Sequence, residues 1–270
     1  MDIIIYIVLY IIGTLFGSFY SLAIHRIPKK QDIVKTNSYC PKCNKRLGFL
    51  DLIPVLSYIF LKGKCRHCGK KIHPRYVILE ISFGIIFLII GFLFNINMEN
   101  LSVLKIIEYL FMVLYLTYLA LIIGIDKTEH KIEKSVNIYG IIISMIYMVY
   151  LYIQGENNIY RYAIYLIVYI LILTLDTITL RKYAKNSYII GILMMITTMT
   201  IFTGEYVAIN SIISTVLAIG IYILISNLKA ISKKNIRKDI QVHKKIDIGY
   251  YLGIMNILIF IIVLTYVYLK

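Results

Sequence analysis

Residues 40–76 read CPKCNKRLGFLDLIPVLSYIFLKGKCRHCGKKIHPRY and lie between two strongly apolar stretches. They hold all 4 cysteines of the chain as two Cys-x-x-Cys pairs, Cys40/Cys43 and Cys65/Cys68, with 21 residues between the pairs. That spacing is close to the spacing of structural zinc sites. Four thiolates at about 2.3 Å close a tetrahedral shell on zinc, and each two-residue turn lets a pair chelate from one bend. The competing reading, two disulfides or one redox pair, fails where the segment faces a reducing compartment. His67, between two of the ligands, is read as a polar residue of the second knuckle because the cysteines already fill the shell. Residues 49–61 are almost wholly apolar, yet with Asp51 and Pro54 inside they are too short for a bilayer that needs about 20 residues. They are expected to pack on the membrane surface or under the metal lobe.

Outward from this stretch the chain is 270 residues long, 60% hydrophobic, with a mean hydropathy of +0.79. Soluble domains are far more polar. Runs able to span a bilayer fall near residues 3–24, 76–96, 103–125, 136–153, 160–180, 188–202, 206–225 and 248–268, the sixth being the shortest. The first has no basic n-region and no small-residue cleavage site, so it reads as a mature span and not as a signal peptide. The expected fold is an all-α polytopic membrane protein of about eight transmembrane helices, with a small cytoplasmic zinc lobe after the first. Residues 1–25 form the first helix, 26–75 the four-cysteine lobe and 76–270 a helical transmembrane domain.

The formal charge of +15 would suggest nucleic acid in a soluble protein, but its distribution decides otherwise. Of the 29 Lys and Arg, 26 fall in four segments, residues 26–75, 127–134, 181–185 and 229–245. With eight spans these segments share one side, which the positive-inside rule makes cytoplasmic, and both termini lie outside. Anionic headgroups account for the basic excess at about 1 kcal/mol per residue near the surface. Membrane lipid is therefore the expected partner, and no nucleic acid is expected.

Few acids lie near the spans. Glu80 stands about one turn inside the second, where a carboxylate is costly and so is a functional candidate; the competing reading is an ion pair with Arg75 or a neighbouring basic loop. Asp126 stands where the third span meets the cytoplasm, either as a solvated boundary residue or as a catalyst. Asp176 lies about a turn inside the fifth span, with Arg181 or Lys182 as alternative partners. Gly17 and Ser18 offer a small helix-packing face, and Pro28 stops the first helix. No P-loop, dinucleotide-binding glycine run, His-Glu-x-x-His or Gly-x-Ser-x-Gly motif occurs.

Together, Gly17-Ser18-Phe19, His25-Arg26-Ile27-Pro28, the CPKC knuckle, DLIPVLSY at residues 51–58, GKCRHCG, Arg75-Tyr76 and Glu80 resemble the bacterial type IV prepilin peptidases. These are bifunctional leader peptidases and N-methyltransferases of type IV pilus and type II secretion systems. The resemblance covers about the first 80 residues. It implies an intramembrane aspartic endopeptidase of the inner membrane, with the zinc lobe and active side facing the cytoplasm. The implied substrate is a prepilin, the methyl donor S-adenosylmethionine, and the neighbours pilus or secretion assembly components. It also implies that Asp126 is the first catalytic aspartate, while Glu80 and the loop around Asp51 mark the neighbourhood of methyl transfer. Aspartic proteolysis needs two carboxylates able to share a proton. The family's second aspartate, in Gly-x-Gly-Asp, has no counterpart in YAKNSYIIGILMM at residues 183–195. Ile132-Glu133 and Gly249-Tyr250 replace an Ile-Pro and a Gly-Pro. Three readings follow: a working peptidase with Asp176 recruited beside Asp126, a pseudo-peptidase that retains the fold, or a zinc-stabilised scaffold of pilus assembly.

Overall fold

The computed structural model of the chain describes every residue except 1, 34, 36, 98, 100, 156–158, 183–186 and 234–245. For residues 2, 159, 162, 176–182, 187, 227–233 and 269 it describes the backbone alone. Among the described residues eight α-helices follow in order: α1 (Asp2–Arg26), α2 (Leu56–Phe60), α3 (Arg75–Leu93), α4 (Val103–Glu129), α5 (Lys134–Ile153), α6 (Ile159–Lys182), α7 (Ser187–Lys233) and α8 (Ile248–Leu269). Among the described residues the only extended pairings are two isolated bridges in the cysteine lobe. The chain forms two compact units, Met1–Val113 and Leu114–Lys270, whose boundary falls within α4.

In the first unit α1 and α3 pack through glycine. A Cβ on Gly13 would lie 2.7 Å from the Phe83 carbonyl oxygen and 2.8 Å from Gly84 Cα, and one on Gly17 would lie 2.7 Å from Glu80 Cα. The pairing of 13 with 84 and 17 with 80 makes the two helices antiparallel. Small residues let the backbones touch where the lipid supplies no hydrophobic drive, as expected of Gly17. Phe83 and Phe87 bury on the same seam, Phe83 stacking on Tyr20 at 5.6 Å. The start of α4 joins this unit through Tyr109, whose hydroxyl donates to the Phe87 carbonyl at 3.1 Å. Ile4, Ile7, Ile11 and Leu15 of α1 are exposed, the face an apolar helix turns to lipid.

The second unit holds the rest of α4 with α5 to α8. Its interior is laced by hydroxyls and one amide: Tyr115 donates to Asn256 Oδ1 at 2.6 Å, and Asn256 Nδ2 donates to Ser211 at 3.2 Å. Tyr169 lies 2.8 Å from the Thr198 hydroxyl. Tyr115, Phe202 and Tyr147 stack with centroids 4.7 and 4.5 Å apart.

Among the described residues six helices, α1, α3, α4, α5, α7 and α8, are long and apolar enough to cross a membrane. The sequence predicts eight spans, and the helices supply them in two ways. α6 is 24 residues long with a described apolar run of Ala163–Leu175. α7 is 47 residues, a length of about 70 Å against a hydrocarbon core of about 30 Å. Its backbone breaks at Gly204 (φ 80°, ψ 164°), a conformation that favours glycine. The sixth and seventh predicted spans are the two halves of α7, and the loop expected around residues 203–205 is reduced to this one break. Glu205, expected in that loop, accepts from Tyr165 at 3.1 Å and faces Arg161 at 3.5 Å.

Candidate metal centre and candidate carboxylate site

The two Cys-x-x-Cys segments fold as the same turn twice. In the first, the Cys40 amide donates to the Lys45 carbonyl (2.9 Å), the Asn44 amide returns to the Cys40 carbonyl (2.8 Å), and Tyr39 pairs with Arg46. In the second, Cys65 donates to Lys70 (2.9 Å), Gly69 returns to Cys65 (2.9 Å), and Lys64 pairs with Lys71. Asn44 (φ 55°) and Gly69 (φ 67°) hold equivalent left-handed positions, a conformation Gly and Asn adopt more readily than other residues.

These turns aim all four sulfurs at one point. The Sγ atoms of Cys40, Cys43, Cys65 and Cys68 lie within 4.8 Å of one another, and no two are bonded. Cys40 and Cys68 stand 3.9 Å apart, far beyond a disulfide and near the edge of a thiolate tetrahedron. Burial opposes ionisation of Cys40, but amides of Lys42 and Cys43 and the thiols of Cys65 and Cys43 outweigh it and draw the thiol down to about 7. At Cys68 the Lys70 amide favours the thiolate, yet desolvation and the three other thiols push it up to about 11. Four sulfurs converging at this spacing make a donor set that could hold a metal ion.

The apolar segment between the knuckles is not buried under them. Phe49 (83%), Leu50, Leu56, Ile59 (60%) and Phe60 (79%) are exposed, which removes the expectation of burial under the metal lobe. The segment is held at two acids. Asp51 accepts from Arg66 Nε at 2.7 Å and from the Gly48 amide at 3.1 Å; burial opposes this, but these donors hold its carboxyl below the usual range. Glu80, buried in α3, accepts the Val55 amide at 2.7 Å. The ion pair with Arg75, one of its two alternative readings, does not form, and Arg75 donates to the Tyr76 hydroxyl. Val55 has φ 62° and ψ −53°, with the Leu56 amide on the Pro54 carbonyl at 2.6 Å. That is the strained positive-φ γ-turn, costly for a β-branched residue.

In the second unit Asp126 is not a solvated boundary residue: it is 0% exposed. Its Oδ2 accepts the Tyr188 hydroxyl and the Tyr250 amide, both at 2.9 Å. A Cβ on Gly249 would stand 3.0 Å from that oxygen, so this position must stay small for α8 to begin against the carboxylate. Oδ1 has no hydrogen-bond partner among the described residues. The backbone of Asp176 lies in α6, and its side chain lies outside the described residues, as do residues 183–186 of the degenerate motif.

Asp247, unnoticed in the sequence, stands just before the start of α8, its side chain making no cap bond to that helix, and is 6% exposed. It bonds His130 Nδ1, stands 3.7 Å from Lys127 Nζ, and its charge is within electrostatic range of Asp126. The signal that singled out Asp126, an acid at the foot of an apolar run, was present here too. Tyr188 carried no such signal, since 25 tyrosines are spread through the chain.

A sequence model of the bacterial peptidase A24 N-terminal domain matches residues 11–94. Three relatives are prepilin leader peptidases/N-methyltransferases. That of Vibrio cholerae serotype O1 is 42% identical over 91 residues, 30% of this chain and 36% of its own. That of Klebsiella pneumoniae is 37% identical over 91 residues (32% and 40%), and that of Bacillus subtilis strain 168 is 38% identical over 106 (39% and 43%). The chain thus spans less than half the length of the curated relatives it matches. No solved structure matches. The metal lobe, α3 and most of α1 fall inside the stretch, residues 11–94, that is similar to the bacterial peptidase A24 N-terminal domain, and Asp126 lies beyond it.

Proposed function

We propose that the chain is an inner-membrane aspartic leader peptidase acting on prepilin-like N-termini at the cytoplasmic face, with Asp126 as the carboxylate that activates water. One observation carries this reading: a fully buried aspartate anchored through a single oxygen, its other oxygen without a partner among the described residues. Such a carboxylate can take a proton from water as hydroxide attacks the scissile carbonyl. The partner carboxylate in this reading is Asp247; the proton it shares with His130 Nδ1 passes to the leaving amine, and the proton that Asp126 takes from water restores the pair. Asp176 is the competing partner. The basic segments support a cytoplasmic metal lobe in which zinc, held by Cys40, Cys43, Cys65 and Cys68, ties the two knuckles and takes no part in the chemistry. The names of the relatives also suggest N-methyl transfer from S-adenosylmethionine. A shallow concavity lined by Lys35, Asn37, Ser38, Tyr39, Asn44 and Arg46 offers two cations and no carboxylate, a poor fit to a sulfonium donor, and no step is drawn through that group.

A second reading, a non-cleaving relative that binds prepilins or assembly components, is favoured by one fact. Among the described residues no carboxylate hydrogen-bonds Asp126, and a tyrosine does. Incubating the detergent-purified chain with a prepilin separates the two. Cleavage by wild type, lost in Asp126→Ala and Asp247→Asn and retained in Asp176→Ala, is expected. No cleavage by wild type removes the peptidase reading. Loss in Asp176→Ala with retention in Asp247→Asn transfers the partner role.

A further inference from the structure

The apolar segment between the knuckles is exposed, yet it is tied to a particular depth. Val55 is bonded to Glu80, the sixth residue of α3, about 7 Å along the helix from its start. Glu80 lies against Gly17 of α1, nine residues and about 13 Å before that helix ends at Arg26. At this level both helices turn apolar side chains outward, Phe19 (48% exposed) on α1 and Ile78 (57%) on α3. The segment therefore hangs below the ends of the two helices that carry it. On α2, Leu56, Ile59 and Phe60 share one face by their i, i+3, i+4 spacing. Phe49 and Leu50 stand on the neighbouring 3-10 turn Phe49–Asp51. Lys45, Arg46, Lys62 and Lys64 flank the segment, and residues 26–75 hold 13 Lys and Arg against two acids.

We infer that residues 49–60 are an interfacial anchor: Phe49, Leu50, Leu56, Ile59 and Phe60 sit in the headgroup and upper acyl region of the bilayer that α1 and α3 cross, with the flanking cations on anionic headgroups. Apolar side chains beside a basic rim are the composition of a segment that lies in this plane. The strained Val55 turn has a role here, since the Glu80 bond draws the segment down along α3. The anchor does not depend on whether the chain cleaves anything.

The chain contains no tryptophan, so Phe60→Trp and Phe49→Trp are single-fluorophore reporters, with Lys42→Trp on the first knuckle as the aqueous reference. Each variant is reconstituted into vesicles of phosphatidylcholine and phosphatidylglycerol. Loss of most of the Phe60→Trp and Phe49→Trp emission to lipids brominated on the upper acyl chain, with little quenching by acrylamide, is expected, and the reverse for Lys42→Trp. Quenching of the two reporters by acrylamide alone overturns the anchor, as does shielding from both quenchers, which would mean that protein covers the face. In the unsubstituted chain, lipids with a photoreactive acyl group should label the 49–60 peptide along with α1 and α3. Labelling of the helices without that peptide overturns it independently of any variant.

Discussion

The metal lobe and the carboxylate site differ in how far apart in sequence their contacting residues lie. In the lobe the two outer sulfurs are 28 residues apart, each knuckle closes on itself within nine residues, and Asp51 meets Arg66 across 15. Around Asp126 the contacts reach across 62 residues to Tyr188 and 124 to Tyr250, and Asp247 meets His130 across 117. The lobe is thus set by its own turns and by whatever cation the sulfurs hold. The carboxylate site exists only where α4, α7 and α8 come together. Disturbance of the lobe should be local and severe, and disturbance of the helices should reach the site in small, graded amounts.

The largest effect tests the lobe. Structural zinc contributes apparent binding energies on the order of 10–16 kcal/mol at neutral pH, which in a small lobe is folding energy. Elemental analysis of the purified chain in reducing buffer should find one zinc per chain, and Cys65→Ser should find close to none. Chelation should open residues 26–75 to protease while α4 to α8 stay protected. Protein that carries no metal and still resists protease there would break the comparison at its first half.

The helix seam comes next. Gly17→Leu drives a side chain into Glu80 Cα, backbone that cannot swing aside; overpacking of this kind costs about 1–3 kcal/mol. It should lower the unfolding temperature in detergent and loosen the Val55 turn. In the second unit Asn256→Leu strands the hydroxyl of Tyr115 at about 1–3 kcal/mol, while Ser211 keeps its bond to the Val207 carbonyl. If Gly17→Leu changed neither melting nor protease sensitivity of the lobe, α1 and α3 would not be as close as drawn.

These magnitudes bear on what could be read beforehand. The grouping of the four cysteines, the helices at the predicted spans, the helix-packing role of Gly17 and the solvated reading of Asp126 at a helix end all rest on local spacing or hydropathy, and all but the last match the structure. Asp126 is buried because α8 begins against it at Gly249 and Tyr250, a contact no window of sequence contains. The break at Gly204 looked like a loop because hydropathy falls there, although the backbone needs only one glycine to turn. Glu80 reads either as a functional carboxylate or as an ion-pair partner of Arg75 or a basic loop; its partner is a strained amide 25 residues earlier. Asp247 was within reach of the rule applied to Asp126, and its ion partners were not, since Lys127 and His130 lie at the end of another helix.

The smallest effect concerns that distant contact. Tyr188→Phe removes one hydroxyl, leaves the ring in place, and takes one of two donors from Asp126 Oδ2 while the Tyr250 amide keeps the other. A bond to a carboxylate is worth about 1.5–3 kcal/mol, of which the remaining donor and any entering water recover a part. A fall of about 2–4 °C in the unfolding temperature is expected, the shift that about 1 kcal/mol produces in a domain of this size. If the chain cleaves prepilin, the same loss should slow it roughly five- to tenfold, because 1.4 kcal/mol is a factor of ten. An unchanged melting temperature with an unchanged rate would mean that Asp126 is held by other donors, and that the site does not depend on the meeting of distant helices that distinguishes it from the lobe.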